Sequence, residues 1–206
     1  MKQTFVQALP LLEYAVASVP LTGQDESGDQ YLVKPTQRGV LVAVVDGSGH
    51  GPEAASAAQL AVTTLEEHCD EGVIALVHRC HEELKGTRGA VMSLVSLDRL
   101  ENTATWIGVG NIDGVLLRGA SNGRPPAIFP RPGVVGYRLP ALQATVTPIA
   151  PGDLLILTTD GIRSDFTWAF GAEDQPSQIA EYLSSNFHKE EDDGLVLVAR
   201  YLGWDK

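Results

Sequence analysis

The sequence predicts an α+β fold, an αββα sandwich in which helices cover mostly antiparallel β-sheets. The elements run in the order strands, two helices, many strands, one helix and one strand, which is not the regular strand–helix alternation of a parallel sheet. Most later segments are short alternating or continuous apolar runs, which are typical of half-buried or buried strands. At 206 residues we expect a single domain, residues 1–206, large enough to bury a proper core.

The first half of the chain is expected to form three strands and two helices. The strands are Leu12–Val19, Tyr31–Lys34 and Gly39–Val45, and the helices are Glu53–His68 and Val73–Leu84. Pro52 stands where the first helical turn should begin, and a proline costs little there because that backbone N–H has no helical partner. Alanine and leucine dominate the first helix, so we expect it to pack closely on a sheet.

The second half is expected to consist mainly of strands. They are Ala90–Leu97, Ala104–Val109, Gly114–Leu117, Ala144–Thr147, Asp153–Thr158 and Leu195–Tyr201, with one late helix at Ser177–Phe187. The dipeptide Asp113-Gly114 lies between two of these runs and predicts a hairpin turn. The proline-rich segment Gly119–Pro132 predicts a loop, and Ser177 is the expected cap of the late helix.

Composition and charge exclude several classes of partner. The net charge of −11 argues against nucleic acid or an anionic membrane as the main partner, and 44% hydrophobic with 20% charged residues is typical of a globular protein. No apolar run reaches membrane-spanning length and no leader pattern is present, so a cytoplasmic protein is expected. Cys69 and Cys80 suggest no disulfide framework, which fits a reducing compartment. The negative charge makes any phosphate chemistry dependent on bound cations.

The most informative segment is Val44–Glu53, in which an apolar run ends at Asp46 and three glycines follow within five residues. A carboxylate then lies at the mouth of a sheet beside bare backbone, where an ion or a phosphate can approach closely. A second pair, Asp160-Gly161, closes another strand-like run, and the acidic cluster Glu190–Asp193 precedes the last strand. Such oxygen ligands suit Mg²⁺ or Mn²⁺ rather than zinc. Two ions roughly 3.5–4 Å apart can share and activate one water for attack on phosphorus.

The sequence contains, in this order, Asp29 in Ser-Gly-Asp-Gln, the segment Asp46-Gly47-Ser48-Gly49-His50-Gly51, Thr159-Asp160-Gly161 and Asp192-Asp193. This set resembles the motifs of metal-dependent protein serine/threonine phosphatases of the PPM class. It is most similar to the SpoIIE-like branch and, within it, to the small RsbX-type phosphatases of stressosome signalling. Arg88-Gly89-Ala90 and Gly108-Val109-Gly110-Asn111 also resemble RsbX-type segments, and the likeness extends from about Gly28 to the C-terminus.

The resemblance implies a two-ion metal centre. Asp46 would bridge both ions, Asp160 and Asp192 would hold the first, and the Gly47 carbonyl and Asp29 would serve the second. Since neighbours on a strand face opposite sides, only one of Asp192 and Asp193 should point inward, and the family pattern favours Asp192. The catalytic candidates are Asp46, Asp160 and His50.

The chain departs from the PPM pattern at two positions. Ser48 stands where the better-known members carry a histidine that is a candidate general acid, and the histidine here is His50, as in the SpoIIE-like branch. His50 is therefore a general acid, an anion contact at the helix terminus or a structural residue. Leu195 stands where a threonine commonly follows the paired aspartates, which places the support of the last ligand in doubt.

Other patterns favour structural roles. The helical spacing puts His78 and His81 on one face and Cys80 elsewhere, so these residues and Cys69 make a poor zinc site. Gly108–Asn111 is followed by neither a P-loop lysine nor a helix, so it does not predict a nucleotide loop.

Three charged features stay open between a site and a surface role. Arg88 and Arg163 could contact phosphate or form surface ion pairs. Glu190–Asp193 could be a solvated turn, although its place before an apolar strand favours ligands.

We therefore expect a Mn²⁺- or Mg²⁺-dependent phosphatase that hydrolyses phosphoserine or phosphothreonine on a bacterial signalling protein without a covalent phospho-enzyme. The RsbX-type resemblance implies phosphorylated stressosome scaffold proteins as substrates in a general stress response. Two alternatives remain open. One is a pseudophosphatase that binds a phosphorylated partner without hydrolysing it, and the other is a phosphatase of an anti-sigma-factor antagonist.

Overall fold

The computed structural model describes residues 2–24, 26–118, 130–165, 170 and 173–204. Within these ranges the chain forms ten strands and three helices. In order they are β1 Gln3–Leu9, β2 Leu12–Val19, β3 Asp29–Pro35, β4 Gly39–Gly47, α1 Pro52–Glu67, α2 Val73–Glu83, β5 Ala90–Asp98, β6 Thr103–Val109, β7 Asp113–Leu117, β8 Thr145–Pro148, β9 Leu154–Thr158, α3 Pro176–Asn186 and β10 Gly194–Tyr201. None of the helices in these ranges has the length and apolar character needed to cross a membrane.

The strands form two five-stranded sheets in which every strand pairing is antiparallel. The first sheet has the order β1-β2-β10-β9-β7 and the second β3-β4-β5-β6-β8. One apolar core lies between the sheets and takes side chains from both, such as Val16 and Leu197 from the first and Val44 and Val95 from the second. Helices α1 and α2 cover the outer face of the second sheet, and α3 covers the outer face of the first. The predicted αββα sandwich is confirmed.

Strand β4 is buried on both faces, which explains why its sequence is a continuous apolar run rather than an alternating one. Successive side chains point to opposite sides, so Val42 and Val44 enter the core between the sheets while Ala43 and Val45 pack beneath the helices. By the same alternation Asp46 lies on the inter-sheet side. The carboxylate therefore stands at the open end of the core between the two sheets.

Helix α1 packs closely on β4 because its buried face is made of small side chains. Ala54, Ala57, Ala58 and Ala61 are almost fully buried. A Cβ atom at Gly47 would lie only 2.0 Å from the Ala54 carbonyl oxygen. The glycine after Asp46 is thus required by the close passage of the helix, and Pro52 occupies the first helical position as predicted.

The hairpin predicted at Asp113-Gly114 is wrong. Both residues begin β7, where they pair with Thr158 and Leu157 of β9 in the first sheet, whereas the preceding strand β6 belongs to the second sheet. The chain therefore crosses between sheets after Val109 instead of turning back. Glycine is needed at 114 for space, because a Cβ atom there would lie 2.0 Å from the Trp106 ring.

Two smaller predictions also differ from the structure. Strand β1 was not predicted, because it is an edge strand whose described side chains are mostly exposed and so carry no apolar pattern. Helix α3 begins at Pro176 with Gln175 before it, and no side-chain cap bond is formed, so Ser177 is not the cap. Most of the loop predicted at Gly119–Pro132 lies outside the described residues. Near the end of this segment, Arg131 forms an isolated β-bridge with Val109.

Candidate metal centre

The carboxylates of Asp29 and Asp46 enter the site from neighbouring strands of the second sheet. The two residues are directly opposite each other in the register of β3 and β4, so their side chains leave the same face of the sheet. Asp29 is almost completely buried and Asp46 is half-buried. Burying two acidic groups side by side is unfavourable unless hydrogen bonds or cations compensate them.

The first sheet contributes the ends of β9 and β10. Thr159 follows β9 and joins the two sheets at the site. Its hydroxyl donates to Asp29 Oδ2 at 2.7 Å and accepts from the Leu195 backbone N–H at 2.8 Å. The motif Thr159-Asp160-Gly161 was recognised in the sequence, but no role was assigned to the threonine. The pair of threonines, Thr158 and Thr159, that ends this buried apolar strand is the signal that could have identified it.

Asp46, Asp160 and Asp192 line one open cleft of about 410 Å³. The other lining residues are Ser48, Gly49, His50, Val91, Asn111 and Glu191. Asp46 comes from the second sheet, whereas Asp160 and Asp192 follow and precede strands of the first. The fold therefore brings together three carboxylates, each of which is more than thirty residues from the next along the chain.

Asp192 and Asp193 have different surroundings. Both carboxylate oxygens of Asp193 accept backbone N–H groups, from Leu21 at 2.8 Å and from Gly28 at 2.9 Å. Asp193 is buried and anchors the segment that leads into β3. Asp192 lines the cleft instead, from a bend that precedes β10 and in which its backbone N–H donates to the Lys189 carbonyl at 3.3 Å.

Asn111 and Lys189 also contact the acidic cluster, and the sequence did not single them out as site residues. Asn111 Nδ2 donates to Asp160 Oδ2 at 2.6 Å, and Lys189 Nζ donates to the Asp160 backbone carbonyl at 2.6 Å. The preceding Gly110 has φ +109, and a Cβ atom there would lie 2.2 Å from Val91 Cβ. This turn, which only glycine can make, is what carries Asn111 to Asp160.

His50 lies at the mouth of the cleft and is exposed. Its Nδ1 atom is 3.2 Å from Gln24 Nε2. Ser48 lines the same cleft and its backbone N–H donates to the Gly89 carbonyl at 3.0 Å. An exposed imidazole at the entrance can reach an incoming ligand, which a core histidine could not do.

Burial, together with mutual repulsion, raises the pKa values of three carboxylates in the cluster. Burial and then the neighbouring Asp160 raise the pKa of Asp46 from 3.8 to about 8, with Asp192 and Asp193 adding to the effect. Burial, followed by Asp46, raises the pKa of Asp29 well above its usual range, although the Thr159 hydrogen bond opposes this rise. Burial and Asp160 also raise the pKa of Asp192. A cluster of this kind requires positive charge to hold all its members ionised.

The donor set fits a hard divalent cation. It consists of carboxylate oxygens together with backbone carbonyls, the ligands that Mg²⁺ and Mn²⁺ prefer. In the described part of the chain, no three His, Cys, Asp or Glu side chains already surround a single ion position. The carboxylates therefore line an open cleft rather than form a closed cage, as suits an ion that retains waters.

The Gly47 carbonyl lies on the same side of β4 as β3. The Gly47 N–H donates to the Gly28 carbonyl at 3.0 Å, and the Gly47 oxygen is 3.5 Å from the point that a Cβ of residue 28 would occupy. It is thus close to the strand that carries Asp29. This position leaves the carbonyl available as a further oxygen donor.

Structural contacts are made by Cys80 and His81, which were candidates for a zinc site, and by Arg163, which was a candidate for phosphate contact. Cys80 is buried, with its Sγ atom 3.8 Å from the Ala61 carbonyl oxygen. His81 Nδ1 accepts the Gly136 backbone N–H at 2.9 Å. Arg163 donates to the Asn186 carbonyl at 2.8 Å. These contacts account for the residues through packing and hydrogen bonding.

We expect Thr159→Val to destabilise the protein by about 1–3 kcal/mol, because it leaves the buried Leu195 N–H and one Asp29 oxygen without their partner. Urea unfolding of the Mg²⁺-free protein measures this change. Thr158→Val is the matched control, since Thr158 is buried next to it and its hydroxyl makes no hydrogen bond among the described residues. Equal stabilities of the two variants would contradict the assigned role of Thr159.

Comparisons with known proteins agree with this geometry. Residues 36–201 match the family model described as Stage II sporulation protein E (SpoIIE). The chain is 26% identical over 171 residues to the phosphoserine phosphatase RsbX of Bacillus subtilis (strain 168), covering 79% of this chain and 83% of that protein.

Two solved structures extend the likeness. One, described as "The bacterial stressosome: a modular system that has been adapted to control secondary messenger signaling", is 31% identical with a TM-score of 0.81, covering 92% of this chain and 99% of that chain. The other is RsbX in complex with magnesium, which is 21% identical with a TM-score of 0.86, covering 98% of this chain and 100% of that chain.

Proposed function

The chain belongs to the SpoIIE family of PPM-type protein phosphatases, and we propose that it dephosphorylates phosphoserine or phosphothreonine on stressosome scaffold proteins. It is a protein phosphatase that acts in a stress-response pathway. The observation that carries the proposed site is the convergence of Asp46, Asp160 and Asp192 in one cleft between the two sheets. The reaction is proposed to take place in the cytoplasm.

The proposed ligands follow from the position of each carboxylate. Asp46 would contact two divalent ions, with Asp160 and Asp192 completing the first and the Gly47 carbonyl and Asp29 serving the second. When bound, Mg²⁺ or Mn²⁺ would neutralise the cluster, polarise the phosphoryl group and lower the pKa of a water. Asp193 is assigned a structural part rather than a ligand part, because its two oxygens already accept the amides of Leu21 and Gly28.

The remaining residues would keep the carboxylates in place for hydrolysis. Asn111 holds one oxygen of Asp160, and Thr159 holds one oxygen of Asp29, so each carboxylate presents its other oxygen in a defined direction. Hydrolysis forms a bond from water oxygen to phosphorus and breaks the bond from phosphorus to the seryl oxygen, which takes up a proton. His50, exposed at the mouth of the cleft, is the proposed donor of that proton.

The decisive experiment is phosphate release from a purified, phosphorylated stressosome scaffold protein. We expect release with Mn²⁺ or Mg²⁺ and none with EDTA, with activity restored when the metal is returned in excess. A phosphorylated anti-sigma-factor antagonist, tested in parallel, distinguishes the two classes of substrate through kcat/KM. Tight binding of either partner without release at saturating Mn²⁺ would overturn the proposal and leave a binding module.

A further inference from the structure

Arg88 lies at the junction between the metal cleft and a second groove of about 500 Å³. The groove is formed by the first turns of α1 and by the Gly86–Arg88 segment that leads into β5. The Arg88 side chain is half exposed, so it is accessible to a ligand approaching from either side. The position matters because the metal cleft itself is lined mainly by acidic and small residues.

The Arg88 guanidinium is held from behind by Glu53. Arg88 Nε donates to Glu53 Oε2 at 2.6 Å, and Glu53 belongs to the first turn of α1. The opposite edge of the guanidinium faces Gly49, where a Cβ atom would lie 2.8 Å from Arg88 Nη1. Gly49 has φ +94 and lines the metal cleft, so the absence of a side chain there opens the path between Nη1 and the cleft.

The two Nη groups of Arg88 make no hydrogen bond to any part of the chain that the structure describes. This distinguishes Arg88 from Lys189, the other cation beside the cluster, whose Nζ is bonded to the Asp160 carbonyl. Arg88 therefore keeps its paired N–H donors available while its direction is set by Glu53. A planar fork of this kind matches the oxygens of a phosphate group.

Charge also favours a phosphate ligand at this position. The chain carries a net charge of −11, and the cleft is lined by Asp46, Asp160, Glu191 and Asp192. A phosphate dianion that approaches this surface is repelled until it reaches positive charge. Arg88 supplies a permanent cation at the entrance, whatever the occupancy of the metal ions.

We propose that Arg88 binds the phosphoryl oxygens of the substrate at the mouth of the cleft, with Glu53 orienting its guanidinium. This inference rests on the proposed function, because it concerns the phosphate that the cleft would receive. It assigns substrate binding rather than bond breaking to Arg88. Glu53 makes no contact with the substrate and acts only through Arg88.

The test uses inorganic phosphate as a probe, titrated by calorimetry into the protein in Mg²⁺. We expect Arg88→Ala to weaken phosphate binding roughly tenfold or more, the size expected for a lost charge-assisted hydrogen bond. The phosphate affinity of Arg88→Lys should lie between those of wild type and Arg88→Ala, because lysine keeps the positive charge but lacks the planar pair of N–H donors. Arg79→Ala is the matched control, since Arg79 of α2 forms a comparable exposed ion pair with Glu71, which precedes that helix.

Turnover gives a second readout on a phosphopeptide. Arg88→Ala should raise KM by a similar factor while kcat changes less, and Arg79→Ala should change neither. Equal phosphate affinities of wild type, Arg88→Ala and Arg79→Ala would overturn the inference and leave a surface ion pair. A wild type that binds phosphate through Arg88 but never releases it from a phosphoprotein would instead contradict the proposed function alone.

Discussion

Asp46→Asn and Asp160→Asn should each reduce phosphate release from a phosphoprotein by about 100-fold or more in saturating Mn²⁺. Loss of groups that merely support metal ligands typically costs roughly 10–100-fold, so loss of a ligand should cost at least the upper end of that range. Asn keeps the size of each side chain and removes its charge. The expected loss is therefore one of metal binding and chemistry rather than of packing.

The measurement is steady-state phosphate release over a Mn²⁺ titration, with folding checked by circular dichroism. Asp70→Asn is the control, because Asp70 is an exposed aspartate beyond the far end of α1 and bonds Gln37 on the surface. We expect this variant to match the wild type. Undiminished turnover in Asp46→Asn and Asp160→Asn would refute the centre placed between the two sheets.

Removing divalent cations should make the stability of the protein fall as pH rises, and Asp46 should contribute to this fall. Its pKa is raised from 3.8 in the ordinary state to about 8 in the fold. Between these values the folded carboxyl keeps a proton that the unfolded chain releases. The stabilisation is complete below about pH 4 and is lost as pH rises through about 8.

Asp29 and Asp192 act in the same direction, since the pKa of each is also raised. In EDTA, Asp46→Asn should therefore melt at a higher temperature than wild type at pH 8, and the difference should shrink toward pH 5. For a protein of this size each kcal/mol corresponds to roughly 2–4 °C. Comparing the two proteins at each pH removes the contribution of unrelated surface acids.

With Mg²⁺ or Mn²⁺ present, the wild type should instead melt at a higher temperature than Asp46→Asn at pH 8. Cations bind the ionised carboxylates and only the folded protein presents them together, so the wild type should gain stability with pH and the variant much less. Melting curves at pH 5, 6.5 and 8, with EDTA or with Mg²⁺, test both statements. A variant less stable than wild type in EDTA at pH 8 would contradict the raised pKa assigned to Asp46.

Much of the fold could be predicted because its signals are local. The continuous apolar run before Asp46 predicted a buried strand, and the structure confirms β4 with both faces covered. Pro52 and the alanines after it predicted the start and the close packing of α1. The hairpin at Asp113-Gly114 was wrong because a turn-forming dipeptide cannot reveal that the next strand pairs in the other sheet.

The same limit applies to the site. Asp46, Asp160 and the acidic pair before β10 were recognisable from their motifs, and the structure places Asp46, Asp160 and Asp192 around one cleft. The separate surroundings of Asp192 and Asp193 appear only in the fold, because they depend on the amides of Leu21 and Gly28.

By itself, the sequence determined the three helices and most of the strands, where acidic residues end them, and what kind of ion those oxygens suit. These properties follow from side-chain periodicity, backbone freedom and ligand chemistry, all of which act within a few residues. Only the tertiary structure decided that Thr159 joins the sheets through Asp29, that Asn111 holds Asp160, and that Arg88 faces Gly49. Such contacts arise when two sheets pack face to face, and no local pattern records which distant groups then meet.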